Sequence, residues 1–274
     1  MLGALMLSLA TPLLAAAQQP SNGEEIARAI AALDWQRGPR TAKIGGVATL
    51  KVPEGQIFLD DRGTGRFLAL NGNPPRDGRY TLAAEDLSWF AVFFFEDTGY
   101  VKDDEKLDAD ALLATLRQGD RPSNAERKRL GMPALETVGW HVAPHYDGAT
   151  HRLEWGMRLR AEGRIIVNYT IRLLGRRGVM HAVLVSDPES LDRDIAVFKE
   201  SLAGYEFTPG DRYAEFRAGD RVAEYGLAAL VLGGAAAVAT KSGFFKAMGK
   251  LLIPGLIALG GAAAALFRKV RRAA

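Results

Sequence analysis

The chain is predicted to be an α+β protein, an antiparallel sheet covered by helices and followed by a C-terminal transmembrane helical hairpin. Three observations carry that prediction. The segment HRLEWGMRLRAEGRIIVNYTIRLL from His151 alternates apolar and polar residues in two runs around a glycine-containing turn, the two-residue period of half-buried antiparallel strands. WFAVFFFE from Trp89 and VMHAVLVS from Val179 are apolar in both phases, as inner strands covered on two sides must be. Two Gly- and Ala-rich apolar runs, GLAALVLGGAAAVAT at 226–240 and LLIPGLIALGGAAAALF at 251–267, lie near the C-terminus.

From the N-terminus, residues 1–17 read MLGALMLSLATPLLAAA, an apolar run ending in three alanines before Gln18. Small residues at that place suit a signal peptidase, and the run is shorter than the ~20 residues of a membrane span. Ile26, Ile30 and Leu33 then recur at helical spacing in EEIARAIAALD. In TAKIGGVATL, Gly45-Gly46 is placed to form a two-residue turn between short strands, and Pro53-Glu54-Gly55 ends the second of them. NGNPP at 71–75 is a loop, because Pro74 and Pro75 suit neither a helix interior nor a central strand. Asp108 is positioned to cap a helix whose apolar face is Leu112, Leu113 and Leu116 and whose stop is Gly119.

In the central hairpin the two apolar sets are Leu153, Trp155, Met157, Leu159 and Ile165, Val167, Tyr169, Ile171, Leu173. If both sets share one face, the loop must hold an odd number of residues. Ala161-Glu162-Gly163 fits that rule and pairs Leu159 with Ile165 and Trp155 with Tyr169. The opposite face, extended by the following turn, presents Glu154, Asn168, Arg172, Arg176 and Arg177. Guanidinium forks suit a carboxylate, a phosphate or an acidic partner surface, so these five are candidate binding residues. Asp187-Pro188 is a helix start, Leu191, Ile195, Phe198 and Leu202 are its core stripe, and Gly204 is its end. The exported α+β domain is thereby assigned to residues 18–221.

The membrane region is assigned to 222–267, as helices at 222–240 and 249–267, with a basic tail at 268–274. Gly233, Gly234, Gly260 and Gly261 are the expected close-contact points, since small residues let helices approach in lipid. The lipid bilayer is therefore one expected partner, and a second copy of the chain, joined through these helices, another. Two spans leave the tail RKVRR outside, whereas one span places it in the cytoplasm.

The net charge of +3 hides an asymmetry: seven Lys and Arg and no acid follow residue 240, so residues 1–240 carry −4. That argues against a nucleic-acid-binding face. With no cysteine in the chain, disulfides, thiolate metal sites and a cysteine nucleophile are excluded. No nucleotide-binding glycine motif or nucleophile elbow occurs, and no cofactor is called for. His141, His145 and His151, with Asp147, are the candidate metal ligands. Their spacing does not put them on one helix face, because Pro144 interrupts it.

Several stretches resemble the Domain of Unknown Function 2167 family of predicted membrane-anchored bacterial proteins: GNPP at 72–75, GYVKDDE at 99–105, GWHVAPHYD at 139–147, LEW at 153–155, VNYTIRLLGRRGVM at 167–180 and VAEYGLAALVLGGAAAVATKSG from 222. The resemblance implies an exported domain ahead of a membrane region, and no activity. A helix-covered antiparallel sheet ending in a helix is also similar in outline to the PsbP-like fold. The expected function is a non-enzymatic module, anchored in the bacterial inner membrane and facing the periplasm, that binds an envelope protein or a small ligand. The alternatives are a metal-dependent enzyme centred on the three histidines and an oligomerising membrane hairpin.

Overall fold

The computed structural model describes residues 22–73, 76–129 and 133–233. Residues 1–17, Pro74, Pro75, Gly234, Gly260, Gly261, the run at 249–267 and the basic tail lie outside the described residues. After α1 (Asn22–Ala31) come β1 (Gln36–Arg37), β2 (Arg40–Ile44), β3 (Ala48–Val52) and β4 (Gln56–Leu59), then α2 (Asp61–Leu70), β5 (Arg79–Ala84) and β6 (Trp89–Glu96). The long α3 (Ala109–Arg129) precedes β7 (Glu136–Asp147), β8 (Arg152–Ala161), β9 (Arg164–Leu174) and β10 (Val179–Ser186). Then follow α4 (Leu191–Ser201), β11 (Tyr205–Phe207) and α5 (Leu227–Leu232).

The strands pair into an eight-stranded sheet of order β1-β4-β5-β6-β10-β9-β8-β7 and a three-stranded sheet of order β11-β3-β2, with antiparallel neighbours throughout. The α+β class and the antiparallel sheet are as predicted. One face of the large sheet packs on the small sheet and α4: Ile44, Leu50, Phe58, Phe93, Tyr169, Ile171, Leu184 and Phe198 share one apolar cluster. The other face carries two separate clusters. α1 and α2 cover the β4–β5–β6 end through Ile30, Phe67 and Phe90, while α3 and α5 cover the β8–β9 end through Leu116, Trp155, Leu159 and Leu230.

Because both faces are covered, the central hairpin departs from its predicted register. The loop is the pair Glu162-Gly163, with φ of 48° and 76°, the two left-handed residues of a two-residue turn. Leu159 faces Ile166, Trp155 faces Thr170, Glu154 faces Ile171 and Leu153 faces Arg172. The two apolar sets thus look in opposite directions, that of β8 toward α3 and that of β9 toward the small sheet. The β2–β3 turn differs in the opposite sense. Ile44 pairs with Ala48, so the loop is Gly45-Gly46-Val47, and of the two glycines only Gly45 has a positive φ, 59°.

Two helix boundaries also change, and one helix is unforeseen. Asp108 caps α3 as predicted, its Oδ1 accepting the N–H groups of Asp110 and Ala111. The helix then runs through Gly119 and Pro122. Its later turns are tied to the start of β7, where Asp120 accepts the Thr137 N–H and hydroxyl at 2.8 and 2.7 Å and Asn124 exchanges two hydrogen bonds with Leu135. Those contacts outweigh a glycine cost of ~1 kcal/mol. α4 starts at Leu191 rather than at Pro188, because the Asp187 carbonyl is taken up in a turn by the Ser190 N–H. α2 follows an Asp60 cap that accepts the Gly63 N–H at 2.8 Å; its two glycines mask it in the sequence.

The first predicted membrane span is corrected most. Val222 bridges to Tyr100 in extended backbone, and α5 buries Leu227, Leu230 and Val231 to 0, 1 and 6% exposure in the α3-side cluster. α5 ends at Gly233, φ 120°. Residues 222–232 therefore complete the core of the domain, and among the described residues no helix is long and apolar enough to cross a membrane.

Candidate functional site

Where the β7–β8 turn, the end of β9 and β11 meet, the structure holds a cavity of about 240 Å³. The turn is built locally. Asp147 accepts the Ala149 N–H at 2.9 Å and the Thr150 hydroxyl at 2.6 Å, the side-chain-to-backbone closure that Asp favours. His151 then takes a left-handed φ of 51°, and its carbonyl accepts the Leu174 N–H. That conformation sends the chain into β8 with Arg152 lining the cavity. The opposite wall is a short 3-10 turn, Tyr213–Glu215, closed by Glu215, whose Oε2 accepts the N–H groups of Gly210 and Arg212.

Two residues of its wall each carry a buried polar atom without a partner. Arg152 donates from Nη2 to the Leu202 carbonyl at 2.7 Å, while its Nε has no acceptor. Tyr205 is 7% exposed and its hydroxyl makes no hydrogen bond. Burial lowers the Arg152 pKa and raises that of Tyr205 well above its ordinary value, so at neutral pH both are donors. An unsatisfied buried donor costs ~1–3 kcal/mol, more when charged. A small turn of either side chain toward an acceptor-rich ligand in the cavity would remove that cost. Aromatic walls from Phe207 and Tyr213 complete the cavity, with Arg212 exposed beside them.

His151 borders the same cavity and is held between two tyrosines. Its ring lies 4.2 Å from that of Tyr213, and its Nδ1 is 3.1 Å from the Tyr146 hydroxyl, which donates to Asp103 at 2.6 Å. Burial opposes ionisation of Asp103, but hydrogen bonds from Tyr146 and Tyr213 outweigh it and lower the pKa. Tyr146 shifts the other way, raised by burial and by Asp103.

The predicted metal ligands are not brought together. His141 reaches across to α4, 2.7 Å from Asp192. His145 is exposed and opposite Glu154 on β8, Asp147 is spent on its turn, and His151 belongs to the Tyr146–Tyr213 group. Among the described residues no group of three His, Cys, Asp or Glu side chains is arranged to hold a metal ion.

The five predicted binding residues divide among three places. Glu154 faces the small sheet, accepting from Lys199 at 2.7 Å and from the Tyr169 hydroxyl at 3.0 Å. Arg172 and Asn168 project from the opposite face of β9. Arg176 makes a bidentate pair with Asp220 and Arg177 pairs with Asp211, so both fasten the turn after β9 to the 208–220 loop. Gly233 caps α5. Sequence reasoning missed Arg152, Tyr205 and Tyr213. No pattern marks them, since Arg152 sits in an ordinary polar phase of its strand and the other two come from short elements far along the chain.

The fold and this cavity define an α+β sandwich with a ligand-sized hollow at one end. The chain belongs to the DUF2167 family, described as a protein of unknown function, whose family model matches residues 36–264. Among solved structures it is similar to cyanobacterial PsbP (CyanoP) from Synechocystis sp. PCC 6803, with 11% identity over 63% of this chain and 92% of that one and a TM-score of 0.38. No curated protein matches.

Proposed function

We propose that this chain is an exported, membrane-tethered binding module of the bacterial inner membrane, without catalytic activity, whose periplasmic domain holds a small anionic ligand in the end cavity. The observation that carries the ligand reading is a cavity of about 240 Å³ whose wall contains Arg152 and Tyr205, each with a donor, Arg152 Nε and the Tyr205 hydroxyl, that has no partner in the protein. That volume is just below the usual range for small-molecule sites, so a compact carboxylate or phosphate with an apolar body is the fitting class. An envelope protein presenting such a group at its terminus is the corresponding macromolecular partner.

With 222–232 committed to the core, the first predicted span retains only Gly234–Thr240, too few residues to cross a bilayer. The proposed tether is therefore the single run 251–267, with RKVRR following it on the cytoplasmic side. Alkaline carbonate extraction of membranes tests this. The full chain should stay in the pellet and a chain ending at Gly233 should be released; retention of the shortened chain would move the tether elsewhere.

Thermal unfolding of the full chain in detergent, with sodium benzoate and inorganic phosphate as probes, tests the ligand site. Free ligand at a hundredfold its Kd adds about 2.7 kcal/mol, a rise in Tm of roughly 5–10 °C. Arg152→Met should abolish the rise and Tyr205→Phe should reduce it. No rise with either probe, or a rise that survives both substitutions, sinks the proposal.

A further inference from the structure

The Tyr146–Asp103 pair beside the end cavity fixes more than the position of His151. Tyr146 donates its single hydroxyl proton to Asp103 Oδ2 at 2.6 Å, and charge sets the direction of that bond. Asp103 is buried, yet hydrogen bonds from Tyr146 and Tyr213 hold its pKa below the ordinary value, while burial and Asp103 raise that of Tyr146. The carboxylate therefore only accepts, and the phenol keeps its proton. The Tyr146 oxygen then offers lone pairs alone to His151 Nδ1, 3.1 Å away. Nδ1 must carry the hydrogen, an arrangement favoured again by Asp103 Oδ2 at 3.6 Å from it. In the neutral ring the other nitrogen, Nε2, is left as a hydrogen-bond acceptor.

Nε2 points away from Tyr146 across the imidazole. It has no partner among the described residues and is not one of their buried unpartnered nitrogens, and the side chain, 31% exposed, lines the cavity. The backbone puts it there. Strand alternation would send His151 and Arg152 to opposite faces, but the left-handed φ of 51° at His151 breaks the alternation, and Thr150, His151 and Arg152 line the cavity in succession. A residue with a β-carbon is strained in that conformation, and here the strain turns an imidazole toward the hollow.

The cavity wall thus carries unpaired groups of both kinds: Arg152 Nε and the Tyr205 hydroxyl are donors, and His151 Nε2 is an acceptor. A plain carboxylate answers only the donors. Building on the reading of this cavity as an anion site, we propose that its ligand is a hydroxy acid, an organic carboxylate with a hydroxyl on its apolar body. Arg152 and Tyr205 hold the carboxylate, and His151 Nε2 accepts a hydrogen bond from the hydroxyl. Tyr146 and Asp103 are positioning residues, which act by keeping the hydrogen on Nδ1. The aromatic walls of Phe207 and Tyr213 suit a ring as the body.

The probes are 3- and 4-hydroxybenzoate, each set against the fluorobenzoate that has fluorine in the same place and so keeps the shape but loses the donor, together with benzoate itself. Titration calorimetry of the full chain in detergent at pH 8 gives the affinity ratio within each pair. At least one hydroxybenzoate should bind roughly tenfold tighter than its fluoro counterpart. In His151→Phe, which keeps an aromatic ring against Tyr213, the ratio should fall to about one while benzoate binds within about threefold of wild type. Tyr146→Phe should lower the ratio and leave benzoate unchanged. The ratio decides, because a merely structural loss weakens both members of a pair alike. Equal affinities within both pairs, or a preference that survives His151→Phe, overturn the hydroxy-acid assignment while benzoate binding keeps the anion site. Binding of inorganic phosphate but of no benzoate does the same, and absence of all binding overturns both. Should His151→Phe fail to fold, nitrogen-15 NMR of the wild-type His151 ring decides: the Nδ1–H tautomer supports the assignment and the Nε2–H tautomer overturns it.

Discussion

In the β2–β3 hairpin Ala42 faces Leu50 and Ile44 faces Ala48, apolar opposite apolar. Across β8–β9, Trp155 faces Thr170, Glu154 faces Ile171 and Leu153 faces Arg172. Both hairpins alternate in sequence, yet only the first keeps its apolar residues on one face. The small sheet has one covered side, so Lys43 and Lys51 stay exposed while Ile44, Ala48, Leu50 and Val52 are buried. The large sheet is covered on both sides, and each strand of the hairpin serves a different core: Trp155 and Leu159 pack toward α3, Tyr169 and Ile171 toward the small sheet. The rule that matching stripes share a face is a rule for sheets with a solvated side. Where it lapses, polar residues land opposite apolar ones on a covered face, which is how Arg172, opposite Leu153, comes to be half-buried.

The sharpest way to break this contrast is truncation on both faces of the central hairpin. Trp155→Ala should cost ~3–5 kcal/mol and Ile171→Ala ~2–5 kcal/mol in denaturant unfolding, because each empties a separate core, whereas Lys43→Ala and Lys51→Ala should stay within ~0.5 kcal/mol. A near-neutral result at either Trp155 or Ile171 would leave only one face of the hairpin buried.

A smaller effect follows from His181 of β10, buried with its Nε2 2.9 Å from Glu96. The folded pKa of His181 is depressed to about 3 from 6.5, chiefly by burial. Between those values the unfolded chain binds a proton that the folded chain refuses, so stability is present above about 6.5 and is lost as pH falls toward 3. The loss should reach roughly 3 kcal/mol at pH 4 relative to pH 8. Glu96, lowered by its hydrogen bond with His181, acts in the same direction at the acid end of that window. Urea unfolding from pH 8 to 4 should show a slope that His181→Gln flattens between pH 6.5 and 4.5; an unchanged slope would place the titration elsewhere.

The smallest effect concerns the turns themselves. Glu162 holds φ 48° at a site that prefers Asn or Gly, so Glu162→Asn should stabilise by about 0.5 kcal/mol. Gly45→Ala, at φ 59°, should destabilise by about 1 kcal/mol. Opposite signs in chemical denaturation confirm the two loop lengths, and a stabilising Gly45→Ala would contradict the three-residue loop.

Much of the fold was legible locally. The inner strands β6 and β10, the α1 stripe, the Asp108 cap and the core face Leu191–Phe198–Leu202 all follow from residue spacing, because each depends on neighbours within one element. The α2 helix was hidden by Gly63 and Gly65, and the continuation of α3 past Gly119 depends on contacts that Asp120 and Asn124 make with distant residues. Of the candidate site, His151 was legible as a member of a histidine-rich stretch, but Arg152, Tyr205 and Tyr213 converge only after β8, β11 and the turn at 213–215 are packed.

By itself the sequence determined the class of the fold, the apolar and polar phases of β8 and β9, the family, and the concentration of apolar and basic residues toward the C-terminus. These are properties of composition and short-range period, and they survive ignorance of what each element touches. Which core each phase faces was decided by the tertiary structure alone, as were the loop lengths that follow from it and the inclusion of 222–232 in the domain. The reason is physical: an apolar residue carries no record of whether its partner is a helix, a second sheet or a lipid tail. Burial on both faces of the central sheet turned Arg172 from an expected surface residue into a half-buried one opposite Leu153. The same packing turned the start of an expected membrane helix into the last piece of the core.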